Sequence, residues 1–443
     1  MVDVLIDAVG EAPERLAIAE GPQAHSGATL LKAVADARAR LTAEGVGAGT
    51  VVSLEAEYGL QGVAWFIALT AECCLIVPLS RAARAHHASF LQIGEVEVRV
   101  AVGDGGVTVS RTGASATHAH YQTLRDRGVP GLVLFSSGST GAPKGVVHDL
   151  ERLLRKFRVR KRAFRTLVFL QLDHIGGVNT LFYTLSNGGA CVVAAARTPD
   201  AVCEAIAAHR VELLPTSPTF LNLLMLSGAH RRHDLSSLQL VTYGTEPMPE
   251  STLALVHQEL PHVKLQQTYG LSEVGILRSQ SRGNDSLWVR VGGEGYETKI
   301  VDGRLWIRAE SAMLGYLNAP SPFSPDGFLD TGDLVEQDGE WLRILGRKSD
   351  IINVGGAKVY PAEVESVLLT LDNVADAVVE AEPNAITGQI VVATLRLKAP
   401  EPMPQLKARV RAACAAKLEG YKVPTRIKVT EDVLYSERFK RLR

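Results

Sequence analysis

Short apolar runs alternate with helix-period segments from Ser26 to Glu259, and that alternation limits the fold more than any other feature of the chain. Leu30, Leu31, Val34, Ala37 and Leu41 repeat at helical spacing within Ser26 to Ala43. Thr50 to Leu54 then reads as a strand, Ala64 to Thr70 as a helix and Leu75 to Leu79 as a short buried strand. Gly131 to Phe135 and Leu238 to Tyr243 follow as strands, with Pro199 to Ala208 and Met248 to Glu259 as helices. A parallel sheet covered on both faces accounts for this order, so the fold class is α/β. The pattern changes after about residue 285, where Thr298 to Val301 and Gly303 to Ile307 stand among Asp-Gly turns at Asp302, Asp326 and Asp338. That part predicts an antiparallel sheet or small barrel.

From Pro361 a helix is signalled by Val364, Val367, Leu368 and Leu371. The strand-like stretches Val374 to Val379 and Ile390 to Leu397, a helix over Leu406 to Leu418 and a basic tail complete an α+β unit. We place the boundary near Arg347, giving a large domain over 1–346 and a small one over 347–443. Lys and Arg total 47 against 48 for Asp and Glu, so no global field gathers nucleic acid or an anionic membrane. The apolar stretch Gly62 to Leu79 is broken by Glu72 and Pro78, which argues against a membrane span. The five cysteines show no metal spacing, and the opening residues carry acids where a secretory signal carries bases; both predict a cytoplasmic protein.

The most informative segment runs from Leu132 to His148. A strand ends at Phe135, and eight of the next ten residues, Ser136 to Gly145, are Ser, Thr, Gly or Lys. Glycines let successive N–H groups converge on one anion, hydroxyls add donors, and Lys144 adds a charge. The spacing differs from G-x-x-x-x-G-K-[ST]. Ser136-Ser-Gly-Ser-Thr-Gly-Ala-Pro-Lys-Gly145 resembles the signature loop of the acyl-adenylate-forming superfamily, which comprises acyl- and aryl-CoA synthetases, peptide-synthetase adenylation domains and beetle luciferases. Five further segments match in the same order: Asp173-His-Ile-Gly-Gly177, Tyr243-Gly-Thr-Glu-Pro247, Gln267-Thr-Tyr-Gly-Leu-Ser-Glu273, Asp330-Thr-Gly-Asp333 and Leu345 to Gly356.

The resemblance implies ATP-dependent activation of a carboxylic acid as acyl-AMP, followed by transfer to a thiol of coenzyme A or of a carrier protein's phosphopantetheine. It implies layered α/β subdomains plus a small barrel, then a small mobile C-terminal domain. Ser136, Ser137, Gly138, Ser139, Thr140, Gly141 and Lys144 would surround the phosphates. Gly244, Thr245, Glu246, Thr268, Tyr269 and Gly270 would hold the base, with Tyr269 stacked on it, and Asp333 and Arg347 would take the ribose. Glu273, with Thr140, would bind Mg²⁺ alongside phosphate oxygens. Lys440 would act on the reacting carboxylate and α-phosphate, completing a catalytic set with His174, Thr140 and Glu273.

The end of the chain departs from the family pattern Pro-x-Thr-x-x-Gly-Lys-x-x-Arg. Leu434 replaces Pro and Phe439 replaces Gly, while Ser436, Lys440 and Arg443 align with Thr, Lys and the final Arg. Ser349 falls on the pivot about which relatives rotate the small domain, and Val354-Gly-Gly-Ala357 would then leave room for a pantetheine arm. His174, Ile175, Gly176, Tyr243, Gly270, Leu271 and Ile276 would line the acid pocket. Ile175, where amino-acid-activating relatives commonly have Asp, predicts an aliphatic or aromatic acid. Asp173 is either a structural contact or a partner for a polar substrate group. Arg152, Arg155, Lys156, Arg158, Arg160, Lys161, Arg162 and Arg165 read as a solvated face, with an acidic carrier protein or coenzyme A phosphates as the alternative. An amide-forming or nitrogen–nitrogen-forming ligase and a non-catalytic nucleotide-binding relative are the competing functions.

Overall fold

The computed structural model describes residues 2–103, 105–137, 143–436 and 439–442. Two seven-stranded sheets carry the first part of the chain. One has the order Lys264–Gln267, Leu240–Tyr243, Leu213–Thr216, Arg165–Leu167, Ala190–Val193, Leu16–Glu20 and Gln23–Ser26, parallel except for its last pair. The other centres on Gly131–Ser137, Leu75–Leu79, Val51–Glu55 and Val98–Gly103, all parallel, with antiparallel strands at both edges. The helix Leu60–Ala71 is apolar all round because it lies between these layers, burying Trp65, Phe66, Ile67 and Leu69.

Local chemistry sets the element ends. Ser26 caps the helix Gly27–Ala43 by accepting from the Thr29 N–H, and Thr198 caps Pro199–His209, whose first turn carries the proline. The Asp302-Gly303 turn has φ of 51° and 73°, the left-handed geometry that joins Tyr296–Val301 to Arg304–Ala309 as a tight hairpin. Six antiparallel strands between Arg278 and Arg347 make the third sheet. Its end strands, Arg278–Ser281 and Tyr296–Val301, do not pair with each other among the described residues, so the expected small barrel is a curled half-barrel.

The last sheet has the order Ala357–Val359, Ile352–Val354, Gly388–Leu397, Val374–Asn384, with Arg426–Val429 parallel to Gly388–Leu397. Helices Pro361–Leu368 and Met403–Lys417 close its core through Val364, Leu368, Leu406, Val410 and Cys414. This smaller α+β part packs on the larger one through Ser251 N–H to Ser366 Oγ, 3.0 Å, and Asn222 Nδ2 to the Ala375 carbonyl, 3.5 Å. All five cysteines are free. Among the described residues no helix is long and apolar enough to cross a membrane.

One close approach governs the helix that opens onto the central cleft, Ile175–Ser186. Its first turn presses Gly177 against the preceding loop, where an added methyl would stand 1.9 Å from the Gln171 carbonyl oxygen. Gly177→Ala should therefore cost about 2–3 kcal/mol through overpacking. A guanidinium-denaturation midpoint equal to that of the unaltered protein would contradict this.

Candidate active site

A cleft of about 1200 Å³ lies between the sheets and the smaller α+β part. The strand Gly131–Ser137 continues past Phe135, and its antiparallel partner Pro143–Asp149 already contains Lys144 and Gly145. Ser136 is the cross-strand partner of Lys144, and both line the cleft. Asn318 fixes this strand pair from outside: its Oδ1 accepts from the Gly145 N–H at 3.0 Å, and its Nδ2 donates to the Pro143 carbonyl at 2.8 Å. Gly138, Ser139, Thr140 and Gly141 lie outside the described residues, as does the side chain of Ser137.

Glu273 faces Lys144 across Tyr316. The Tyr316 hydroxyl donates to Glu273 Oε1 at 2.8 Å, and the Lys144 ammonium sits 5.2 Å from the Tyr316 ring centre. His148, wholly buried, supports the residue before it: Nε2 donates to the Ser272 carbonyl at 2.6 Å, and burial lowers the imidazole's pKa and keeps it neutral. Glu273 thus presents a hard oxygen donor in the cleft without a cluster of protein ligands around it. Among the described residues no group of three or more His, Cys, Asp or Glu could hold a metal. A single carboxylate suits Mg²⁺, which keeps waters and phosphate oxygens as its other ligands.

A second polar group lies across the cleft. The buried Tyr269 hydroxyl donates to Asp333 Oδ2, and Arg347 Nε stands 3.6 Å from Asp333 Oδ1. Burial raises the pKa of both groups, against the pull of Arg347 and, at Asp333, of Lys440. Asp330 and Thr331 shape the turn: Gly332 N–H donates to Asp330 Oδ1 at 3.0 Å, and Asp333 N–H to Thr331 Oγ1 at 3.1 Å. Gly244 allows the backbone to meet Thr268, since a methyl there would come within 2.7 Å of its Oγ1. Thr245 has φ of 75°, and Glu246, Thr268 and Gly270 line the same wall.

Ile175–Ser186 supplies the opposite side. His174 caps it, Nδ1 accepting from the Gly176 N–H at 3.0 Å, which leaves the ring proton on Nε2. His174, Ile175, Gly176, Asn179, Thr180 and Tyr183 line the cleft, as do Leu271 and Ile276. Tyr243, expected in the acid pocket, is in the core instead, 1% exposed beside Phe220, Val241 and Leu253. Side chains alternate along Leu240–Tyr243: Leu240 and Thr242 reach the cleft, so Tyr243 faces away and contributes its carbonyl to Thr268. Asp173 is structural, its Oδ2 accepting from the Ser80 hydroxyl at 2.6 Å.

The tail enters from the smaller part and brings Lys440 into the cleft. Ser436 holds the turn, its N–H donating to the Lys440 carbonyl at 2.8 Å. Phe439 has φ of 52°, the left-handed region that favours glycine, and its ring packs on Phe169, Phe220 and Tyr435 with centroids 5.2, 5.4 and 5.4 Å away. Arg443 lies outside the described residues; the arginine that anchors the tail is Arg441. Its N–H donates to Glu246 Oε2 at 3.2 Å, while Nη1 reaches Glu365 Oε2 and the Ala377 carbonyl, each at 2.7 Å. No signal in the chain pointed to Arg441, Asn318 or Tyr316, which lie outside the matching motifs or at variable places within them.

Of the basic run, Arg155, Arg158, Arg160 and Arg162 form surface ion pairs with Glu310, Glu151, Glu11 and Glu212, as a solvated face would, while Arg152 reaches the buried Asp149. Lys156 departs from it: the half-buried side chain turns into the cleft and donates from Nζ to the Ile276 carbonyl at 2.8 Å.

The AMP-binding enzyme family matches residues 5–317, and the AMP-binding enzyme C-terminal domain matches residues 363–440. The chain is 30% identical to the indoleacetate–CoA ligase of Aromatoleum aromaticum strain EbN1 over 300 residues, 60% of this chain and 57% of that protein. The chain thus spans little more than half the length of the curated relatives it matches. Among solved structures, the anthranilate CoA ligase AuaEII in complex with anthranoyl-AMP superposes with a TM-score of 0.81 at 21% identity, over 98% of this chain and 93% of that one. The amide bond synthetase McbA from Marinactinospora thermotolerans gives 0.76 at 24% identity, over 99% and 97%. These likenesses establish the fold.

Arg441 is 5% exposed at the side chain and faces two carboxylates that are each 1% exposed, Glu365 and Asp376. Arg441→Met should cost about 3–5 kcal/mol, because it strands buried acids without their counter-charge. Adding Glu365→Gln and Asp376→Asn should recover part of that loss. Denaturation midpoints of the single and triple variants check this, and a triple variant less stable than the single would refute it.

Proposed function

The chain belongs to the AMP-binding enzyme family, within the acyl-adenylate-forming superfamily, and on that premise we propose that it is an ATP-dependent acid–thiol ligase. The supporting observation is that Lys144, Glu273, Asp333, Arg347 and Lys440, which come from both parts of the chain, line one cleft.

Joining a carboxylate to a thiol in water is uphill, because the carboxylate has no competent leaving group. In the reading offered here an acid oxygen attacks the α-phosphorus, the bond from that phosphorus to the bridging oxygen breaks, and pyrophosphate departs with both electrons. The thiol then attacks the acyl carbon, loses its proton, and AMP leaves. Ser136 and Lys144, with Gly138, Ser139, Thr140 and Gly141, hold the phosphates. Asp333 and Arg347 take the ribose hydroxyls, and Gly244 to Glu246 with Thr268, Tyr269 and Gly270 flank the base. Glu273, with Thr140, would hold Mg²⁺, which would supply neutralising charge at the phosphates.

Lys440 supplies a fixed cation where negative charge passes from the carboxylate to the phosphates, and the cleft walls reduce the screening of that charge by water. His174 stands at the mouth of the acid channel and orients the carboxylate from Nε2. The channel beyond it, with Ile175, Gly176, Leu271 and Ile276, takes an aliphatic or aromatic acid rather than an α-amino acid. For the second step the part from Arg347 onward pivots at Ser349. Gly355 and Gly356, at φ of 59° and 89° in an exposed hairpin, then leave space for coenzyme A or a carrier protein's phosphopantetheine.

Lys440→Ala should lower the rate of acid-dependent pyrophosphate release by at least a factor of about 100 while ATP binding stays within about threefold. Equal turnover in the variant and the unaltered protein rules the assignment out. Glu273→Gln should raise the Mg²⁺ concentration needed for half-maximal pyrophosphate release by about tenfold, since a neutral amide is a weaker ligand for a hard cation. A superimposable metal titration counts against it. Mass analysis of the product formed with coenzyme A tests the acceptor.

A further inference from the structure

The acid channel follows one face of Ile175–Ser186. Gly176, Asn179, Thr180 and Tyr183 recur at helical spacing along it, and Asn187 closes the far end. At about 1.5 Å per residue the stretch from His174 to Asn187 is about 20 Å long. Most of the near wall is apolar: Ile175, Leu271 and Ile276, with Phe157.

Three cations interrupt that wall. Lys156 borders Ile175, Asn179 and Ile276, about 8 Å along the helix from His174. Lys161 and Arg278 line the same cleft nearer solvent, close enough for their charges to act on Lys156. Among the described residues no carboxylate pairs with Lys156, Lys161 or Arg278, although Arg152, Arg155, Arg158, Arg160 and Arg162 of the same run are paired. Asn179 Oδ1 is buried without a hydrogen-bond partner. A half-turn of the Asn179 amide exchanges that oxygen for the nitrogen and offers two N–H donors beside Lys156.

Like charges gathered on one side of a partly dehydrated channel oppose each other unless an anion enters. Burial, reinforced by Lys161 and Arg278, pulls the Lys156 ammonium down to about 7, the direction expected of a cation waiting for its counter-charge.

We propose that the acid activated here carries a second anionic group, a distal carboxylate about 8–10 Å from the reacting one, received by Lys156 and Asn179 with Lys161 and Arg278 steering its entry. This rests on the ligase reading above and specifies its substrate class. The phosphates of coenzyme A are the other anions that reach the cleft. They are disfavoured at Lys156 because that side chain lies on the acid channel beyond His174, against the Ile276 carbonyl.

Pyrophosphate release measured with paired acids tests the inference: adipate against hexanoate, and suberate against octanoate. At least one dicarboxylate should exceed its monocarboxylate partner in kcat/KM by tenfold or more. Lys156→Met should erase that preference, lowering kcat/KM for the dicarboxylate at least tenfold while octanoate is unchanged or improved. Lys156→Glu should favour 8-aminooctanoate over suberate, a reversal that a merely structural role would not produce. If Lys156→Met destabilises the protein, Lys161→Gln with Arg278→Gln should still raise KM for the dicarboxylate. Preference for the monocarboxylates with equal losses in Lys156→Met overturns the proposal and leaves the ligase reading standing. A change confined to the KM of coenzyme A assigns the cations to the acceptor and overturns it as well. If none of these four acids and no aromatic acid such as benzoate or phthalate supports pyrophosphate release, the ligase reading and this inference fall together.

Discussion

The buried guanidinium of Arg441 ties the two parts of this protein together. Its side chain sits between Glu365 and Asp376 of the smaller part, and its backbone N–H is held by Glu246 of the larger. Burial disfavours the charged form, yet the carboxylates outweigh it and raise the pKa, so the cation persists at any pH the protein tolerates. Charge in a dehydrated site is valuable for position rather than for net stability, because desolvation cancels much of the attraction. What it fixes is the neighbouring residue. Lys440, long and flexible, reaches the cleft from a backbone that Arg441 holds on one side and Phe439 on the other.

Phe439 shows how a departure from a pattern can be compensated. A non-glycine residue in the left-handed region costs on the order of 1–2 kcal/mol. Its ring meets Phe169 and Phe220 of the larger part and Tyr435 of its own turn, and each aromatic pair contributes about 0.5–1.5 kcal/mol beyond area burial. The contacts therefore offset the strain, and they do so only while the tail lies on the larger part. Glycine at this place would leave the turn free; phenylalanine biases it toward the arrangement in which Lys440 faces Asp333 and Arg347.

Much of the scaffold was legible in the chain because burial and period coincide. Leu75 to Leu79 was delimited correctly, being wholly buried between parallel neighbours, and the Asp302-Gly303 turn announced its hairpin. The antiparallel sheet between Arg278 and Arg347 was legible from its Asp-Gly turns, which specify hairpins but not whether the end strands meet. Motifs located Lys144, Glu273, Asp333, Arg347 and Lys440, all of which line the cleft. Tyr243 was misplaced because a motif gives neighbourhood, whereas strand alternation decides facing, and Thr242 took the cleft side. Arg441 was invisible for a different reason: a basic residue in a basic tail reads as solvated, and only the fold brings Glu365 and Asp376 to it.

The same reasoning applies to the whole charge distribution. A formal net charge of −1 describes a neutral chain, and neutrality excludes long-range attraction of polyanions. It says nothing about fields inside a cleft, where water is displaced and each side chain is screened only by its neighbours. Here the acids of the surface are largely spent on surface arginines, while Lys144, Lys156, Arg347 and Lys440 converge on one space from four separate segments. Against them the cleft offers Glu273, already accepting from Tyr316, Asp333, shared by Tyr269 and Arg347, and Asp350, with Asp330 taken by Arg304 and Glu246 by the Arg441 N–H. With Lys161, Arg278 and Arg441, the lining cations among the described residues are seven against five carboxylates, a small positive excess. Such a cleft is built for ligands that arrive with their own counter-charge, and it holds its cations apart by tying each one to a different element of the fold.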